Sequence, residues 1–479
     1  MTTRARLVAL VRRELGDAWR DRRLLLGGIF CVLLAGAAGF SEGQRLVAVR
    51  GEEQLLTAGW EASVREQALR NEPIEITSVR AASPLSPLAN GLEAVLPQRF
   101  FSTKERLRFG EGRAARSTIE ALAGPFDASF VIAVAFSLLA IVLTYDAISG
   151  ERSSGTLALL LSYPVSRRLL FAAKALAATV LLWLWLVGAL LVFGATLVVS
   201  GLPVGAVSRW LMLAGVGGMY LAVWALVALA VSAATRRPAV SLLVTLVLWS
   251  VLVLIVPRLM PPVLSRGWGS ERLVQISLLE ENGNQRLRQE YQDKVNRLFQ
   301  KFAFAGLSDE TARSQFMEAQ RRAQDELDKK RRELGARIWD EQRRVESAME
   351  RQALWLSALS PTAMFERAAA EIAQTGYGER QLFYSAARNY YQNIGVRLAE
   401  SHPLFMNLDQ STKRGVAFGP SAATVLAKIE PLLIQFETPW CSLSQTAEEL
   451  IFPVGLLLGY CLVALGLGLR SLRKLDPRA

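Results

Sequence analysis

Tyr145-Asp146-Ala147-Ile148-Ser149-Gly150-Glu151-Arg152-Ser153-Ser154-Gly155-Thr156-Leu157-Ala158-Leu159-Leu160-Leu161-Ser162-Tyr163-Pro164-Val165-Ser166-Arg167-Arg168 separates two long apolar runs. Ser149, Gly150 and Glu151 suit a helix start, with the Glu151 carboxylate favoured at the positive end of the helix dipole. A short amphipathic helix follows. Pro164 ends it, and Ser166 is placed to cap the helix of the next run. The stretch therefore predicts a short helix lying across one membrane face between two spans.

Outward from it, the chain is apolar in blocks. Its 479 residues are 51% hydrophobic and only 20% charged, and the mean hydropathy is +0.25. The apolar residues gather in runs long enough to cross a bilayer, which excludes a soluble enzyme, a secreted disulfide scaffold and a disordered chain. Six runs stand out: 24–40, 126–145, 169–200 (its most apolar part from Ala175), 210–231, 239–256 and 451–469. The expected fold is mainly α: a six-span bundle with an N-terminal interfacial helix and two inserts.

Orientation follows from Arg and Lys in the short segments. Arg4, Arg6, Arg12, Arg13, Arg20, Arg22 and Arg23 precede the first run, and Arg152, Arg167, Arg168 and Lys174 lie between the second and third. Arg236 and Arg237 lie between the fourth and fifth, and Arg470, Arg473 and Lys474 follow the last. These alternate segments belong inside, so both termini, 1–23 and 470–479, and the loop 146–168 are expected in the cytoplasm of a bacterial inner-membrane protein. Inserts 41–125 and 257–450 are then periplasmic, a small mixed lobe and a long helical domain. The net charge of +12 is a consequence of this topology, and no nucleic-acid partner is expected. Ala35-Gly36-Ala37 resembles a signal-peptidase site, but the basic region before it is too long and amphipathic for a leader. Residues 1–23 carry Leu7, Val8, Val11, Leu15 and Trp19 on one stripe, which suits a helix in the interface or a plain basic anchor.

In the larger insert, Leu287, Tyr291, Val295, Leu298 and Phe302 form one stripe. Ser308 is placed to cap a second helix, whose Phe316, Ala323, Leu327, Leu334, Ile338, Val345 and Met349 recur in steps of seven and four. That eleven-residue repeat predicts a nearly straight helix, read as a solvated hairpin, with a docking arm for a periplasmic partner as the sharper reading. Gly124-Pro125-Phe126-Asp127 predicts a turn, with Asp127 starting the second span.

The inner stretch resembles the type-2 ABC transporter permease family, in which the second span ends in Gly-Glu-Arg-x-x-Gly-Thr-Leu followed by a Pro-x-Ser turn. Gly150, Glu151, Arg152, Gly155, Thr156 and Leu157 match the motif, and Pro164 and Ser166, with Arg167 beside them, match the turn. The long inserts look like the subgroup with large periplasmic domains, similar in this loop to the permease associated with nitrous-oxide-reductase maturation. Ser86-Pro87-Leu88-Ala89 and Leu359-Ser360-Pro361 add weaker signals of that subgroup. The resemblance implies that the inner helix is a coupling helix seated on an ATP-binding subunit. Two such ATPase subunits would drive two permeases, a second copy or a paralogue, in the lipid bilayer.

ATP and Mg are expected on the partner, because the chain has no Gly-x-x-x-x-Gly-Lys-Ser/Thr loop, and no cofactor is expected on this chain. No catalytic motif is present. The lone His402 and the scattered Cys31, Cys441 and Cys461 provide no metal site and no disulfide. Lys174 and Asp127 lie near span ends, where snorkelling or capping would account for them, so an ion-driven carrier is disfavoured. Gly455 and Gly459, with Gly215, Gly217 and Gly218, offer close helix approach, read as internal packing ahead of a dimer seam. The sequence thus points to a non-enzymatic permease that exports a substrate or acts mechanically on a periplasmic partner. The alternative is a membrane receptor or scaffold whose outer domain binds a partner without transport.

Overall fold

A computed structural model describes residues 3–69, 75–102, 107–110, 112, 125–162, 166–258, 268–303, 310–394 and 435–473. His402, Ser308, Pro164 and Lys474 lie outside the described residues. The chain divides into two compact units, Met1–Pro257 with Ala358–Ala479, and Arg258–Ser357. The division falls inside the long insert 257–450.

In the first unit, six helices are long and apolar enough to cross a membrane: Arg22–Trp60, Ala128–Ser153, Arg167–Val199, Val207–Ala234, Pro238–Arg258 and Leu443–Arg473. We call these spans one to six. The apolar run of span one occupies only the first part of a 48-residue helix, Arg22–Leu69. Asp127 caps span two, its carboxylate accepting from Phe130 N at 2.8 Å, and Ser166 caps span three by accepting from Leu169 N. Tyr220, Trp224, Phe136 and Phe193 are fully buried at the centre.

Small residues let the spans approach. A side chain at Gly28 would strike the Trp185 ring, and one at Gly218 the Trp183 ring. Each indole of span three thus fills the space that a glycine leaves on a neighbouring helix. Gly455 and Gly459 do not act this way. Nothing lies within 4 Å of where their β-carbons would stand, which corrects the expectation of internal packing there. Span six is apolar all round, and composition alone does not say which face meets its neighbours.

Helix Pro361–Ile372 also belongs to this unit and packs deep in it. Tyr220 and Phe365 stack with ring centroids 4.7 Å apart, and the Tyr220 hydroxyl lies 3.0 Å from Thr362 Oγ1. At the other end Arg209 Nη1 donates to the Ile372 carbonyl at 2.8 Å. Arg209 and Tyr220 are about 16 Å apart along span four at 1.5 Å per residue, so this short helix runs beside the first half of that span.

A three-stranded antiparallel sheet, β1 (Ile76–Val79), β2 (Arg99–Ser102) and β3 (Leu107–Phe109), forms the small lobe. Phe100 of β2 packs edge-on against Phe383, Tyr390 and Phe436, which ties the sheet to helix 377–394. Behind the sheet, Arg80 and Glu93 form a buried ion pair at 2.9 Å.

The second unit is a helical hairpin, Trp268–Ala303 against Glu310–Ser357. Ile276, Ala323, Leu327 and Val345 are buried in its seam, and Phe302 meets Phe316 with ring centroids 5.8 Å apart. Arg272–Glu341 and Lys330–Glu290 bridge its surface at 3.0 and 3.2 Å, and Lys294–Glu326 lies one helical turn beyond the second pair, away from the first. Such exposed pairs add little stability.

Candidate functional site

The loop after span two is a bent pair of helices, Ser149–Ser153 and Thr156–Ser162, where the sequence predicted one. The break is at Gly155, whose φ of +76° is the left-handed conformation that costs other residues steric strain. Ser153 Oγ and Ser154 Oγ donate to the carbonyls of Gly150 and Glu151, and Thr156 Oγ1 reaches back to the same Glu151 carbonyl at 3.2 Å. The Ser154 and Thr156 hydroxyls thus both serve the Glu151 carbonyl where the first helix stops, while the Ser153 hydroxyl shares the Gly150 carbonyl with Ser154 N. Gly150 has only an ordinary contact with Asp146 in the place of a β-carbon, so space does not demand glycine there.

The motif residues divide into two faces. Leu157 is buried with Ile148, Leu170, Phe171, Leu229 and Leu472. Glu151 also turns inward. Lys174 Nζ donates to Glu151 Oε1 at 2.7 Å and to both Glu14 oxygens at 3.0 Å. The Lys174 side chain is only 5% exposed. Snorkelling is therefore wrong for Lys174: its ammonium is held inside the protein between two carboxylates. In the apolar surroundings of a span, a buried ammonium requires such partners. Arg152 and Arg167 are half-buried, while Ser153, Ser154, Gly155, Thr156 and Ser166 are exposed. Pro164 is the one motif residue outside the described set.

The loop is also bonded to three other elements. Ser232 Oγ, near the end of span four, accepts from Ile148 N at 3.1 Å and Ser149 N at 3.0 Å. Arg167 Nη1 donates to the Leu472 carbonyl of span six at 3.3 Å. Arg23, at the start of span one, donates to the Tyr145 hydroxyl at 3.2 Å and pairs with Asp146 at 3.7 Å. Ser232, Arg23, Asp146, Glu14 and Leu472 were not singled out from the sequence as loop partners. A lysine two turns inside an apolar helix was the one available signal.

A second polar junction lies at the opposite ends of spans two and four. Asp127 accepts from Asn90 N at 2.7 Å, and Arg45 of the span-one helix reaches Glu42 and Ser86 at 2.6 and 3.2 Å. Thr375 Oγ1 donates to the Ala89 carbonyl at 2.8 Å. Arg209 Nη2 reaches the Cys441 carbonyl at 2.6 Å, and Glu379 accepts from Cys441 N at 3.0 Å. Burial pushes Glu379 up to about 7 and also raises Glu371, which accepts from Tyr377 N at 2.7 Å. Among the described residues no cluster of three or more His, Cys, Asp or Glu is arranged to hold a metal ion.

Six helices of spanning length, with a folded polar loop wired to their ends, define a multi-pass membrane protein. The family model described as ABC-2 family transporter protein matches residues 8–476, and the chain belongs to that family. It is accordingly a membrane-embedded permease component of an ABC transporter, a class that works in the lipid bilayer with ABC ATPase subunits. No curated protein matches the chain.

Proposed function

We propose that this chain is the permease of a bacterial inner-membrane ABC transporter and that the loop 149–162 receives the stroke of a separate ATPase subunit. ATP and Mg reside on that subunit. Two permeases, identical or paralogous, and two ATPase subunits form the working complex. Both termini and the loop face the cytoplasm. The inserts 41–125 and 257–450 are periplasmic, as in the subgroup with large periplasmic domains, and deliver to or act on a periplasmic partner. The chain exports a substrate or transmits force, and catalyses no reaction of its own.

One observation carries this reading. The exposed turn Ser153–Thr156 stands on a buried foundation made by Leu157 and the Glu151–Lys174 pair. A push on that turn reaches spans three, four and six through contacts already made. A loop serving only to connect two spans has no need of a buried ammonium or of the bond from Arg167 to the end of span six.

The test is cross-linking in the purified complex. Ser154→Cys should cross-link to the ATPase subunit, and Leu157→Asp, which removes the foundation, should abolish co-purification. A Ser154→Cys protein that retains the ATPase subunit without any cross-link, combined with unaltered association of Leu157→Asp, removes the assignment.

A further inference from the structure

We infer that Lys174 is a positioning residue that makes the N-terminal helix, Thr3–Arg20, a third limb of the coupling lever. The inference rests on the coupling reading of the loop. Its own evidence is the geometry around one ammonium group. Lys174 has three N–H donors, and all three are used: one on Glu151 of the loop and two on Glu14 of the N-terminal helix. The same atom therefore joins a moving loop to a helix that precedes span one.

The rest of that helix is attached to match. Leu15 and Ala18 pack against the bundle core, and Trp19 stacks on Trp185 of span three with ring centroids 6.5 Å apart. The helix then breaks at Asp21, whose carboxylate accepts from Arg23 N at 2.9 Å and so starts span one. Arg23 in turn grips Tyr145 and Asp146, the residues that lead into the loop. Load on Ser153–Thr156 thus has one route into helix Thr3–Arg20, through Glu151–Lys174–Glu14, and a separate one through Asp146–Arg23 into span one, beyond the break at Asp21.

The ammonium is a good joint for such a task. A buried charge that loses one partner is left poorly compensated, so Lys174 holds both carboxylates through a displacement instead of releasing one. One oxygen of Glu151 is buried with no hydrogen bond among the described residues, so among them the bond from Lys174 to the other oxygen is what ties the loop carboxylate to the bundle. Arginine has five N–H donors, but they are spread over three nitrogens in a planar fork and do not converge from one atom as those of Lys174 do.

The experiment is hydrogen exchange read by mass spectrometry on the intact complex with its ATPase subunits in lipid nanodiscs, with and without ATP–vanadate trapping. In the wild type, trapping should change exchange both in 149–162 and in Thr3–Arg20. In Glu14→Gln and in Lys174→Met, the trapping-dependent change in the loop should persist while that in the N-terminal helix is lost. Lys174→Arg should restore part of it. The Glu14→Gln variant guards against a folding defect, because it keeps the Lys174–Glu151 pair. A trapping response of the N-terminal helix that survives in both variants, or a wild type in which the loop responds and the helix does not, overturns this inference alone. A wild type in which the loop itself does not respond overturns the coupling reading and this inference together.

Discussion

Ser360 Oγ donates to the Leu252 carbonyl at 2.6 Å, and that carbonyl is open for a definite reason. Over Ser250–Ile255 span five widens to a π-helix, and Val256 N bonds the carbonyl of Val251. The donor that would serve Leu252 in the same register is Pro257, which has no N–H. The same Ser360 oxygen caps helix Pro361–Ile372 by accepting from Ala363 N. One hydroxyl therefore satisfies a carbonyl inside the bundle and starts the helix that packs on Tyr220.

Ser360→Ala should cost about 2–3 kcal/mol, from the unpaired buried carbonyl and the lost cap. Ser360→Thr should recover most of it. Thermal unfolding of the purified protein in one detergent compares the three. An alanine variant as stable as the wild type would mean that the carbonyl has another donor.

The Arg80–Glu93 pair sets up a different contrast. Both side chains are almost wholly buried, and Arg80 uses two nitrogens on the Glu93 carboxylate at 3.1 and 2.9 Å. Arg80→Met alone should destabilise the lobe by about 3–5 kcal/mol, because it removes the two-nitrogen cationic partner of a buried carboxylate. Arg80→Met with Glu93→Leu should be far milder. Limited proteolysis in 75–102 reads the difference, and equal cleavage of single and double variants would contradict it.

The six spans, the Asp127 and Ser166 caps and the hairpin stripe were legible because each depends on neighbours close in sequence. Apolar run length, a capping oxygen next to its helix and a repeat along one face all leave local marks. Lys174 left half a mark: the charge was visible, but its partners Glu14 and Glu151 come from other helices, and no spacing rule links them. Helix Pro361–Ile372 was illegible for the opposite reason. It is short and carries Glu366, Arg367 and Glu371, so nothing in its composition says that Met364, Phe365 and Ala368 are buried within the bundle unit. The break at Gly155 lay between these cases. Its glycine was part of the motif, yet only the backbone shows that it bends one expected helix into two.

Gly155 supplies the next test. It is exposed and has nothing within 4 Å of where a β-carbon would stand, so a side chain there meets only the backbone penalty of the left-handed region, about 1–2 kcal/mol. Gly155→Val should therefore leave expression and span packing intact but straighten the turn that presents Ser153–Thr156. Nucleotide hydrolysis by the complex should fall, and Gly155→Asn, which tolerates positive φ, should retain more of it than valine. Equal activity in both variants would show that the bend is dispensable.

The junction at Cys441 should respond to pH. Glu379 is buried, takes hydrogen bonds from Cys441 N and from the Cys441 thiol, and is pushed by burial from the ordinary 4.5 up to about 7. Arg209 and Arg80 favour its charged form, but the loss of water outweighs them. Glu371 shifts in the same direction, with Glu449 adding repulsion and Arg367 opposing it. A carboxyl whose pKa is raised on folding leaves stability intact below its unfolded value, where it is protonated in both states. As pH rises from about 4.5 to 7, the unfolded chain ionises while the folded protein keeps the proton, so stability falls until the buried group ionises near 7. The midpoint of thermal unfolding should thus drop between pH 5 and pH 8, and Glu379→Gln, which cannot ionise, should flatten that slope. A glutamine variant with the wild-type slope would place the titrating group elsewhere.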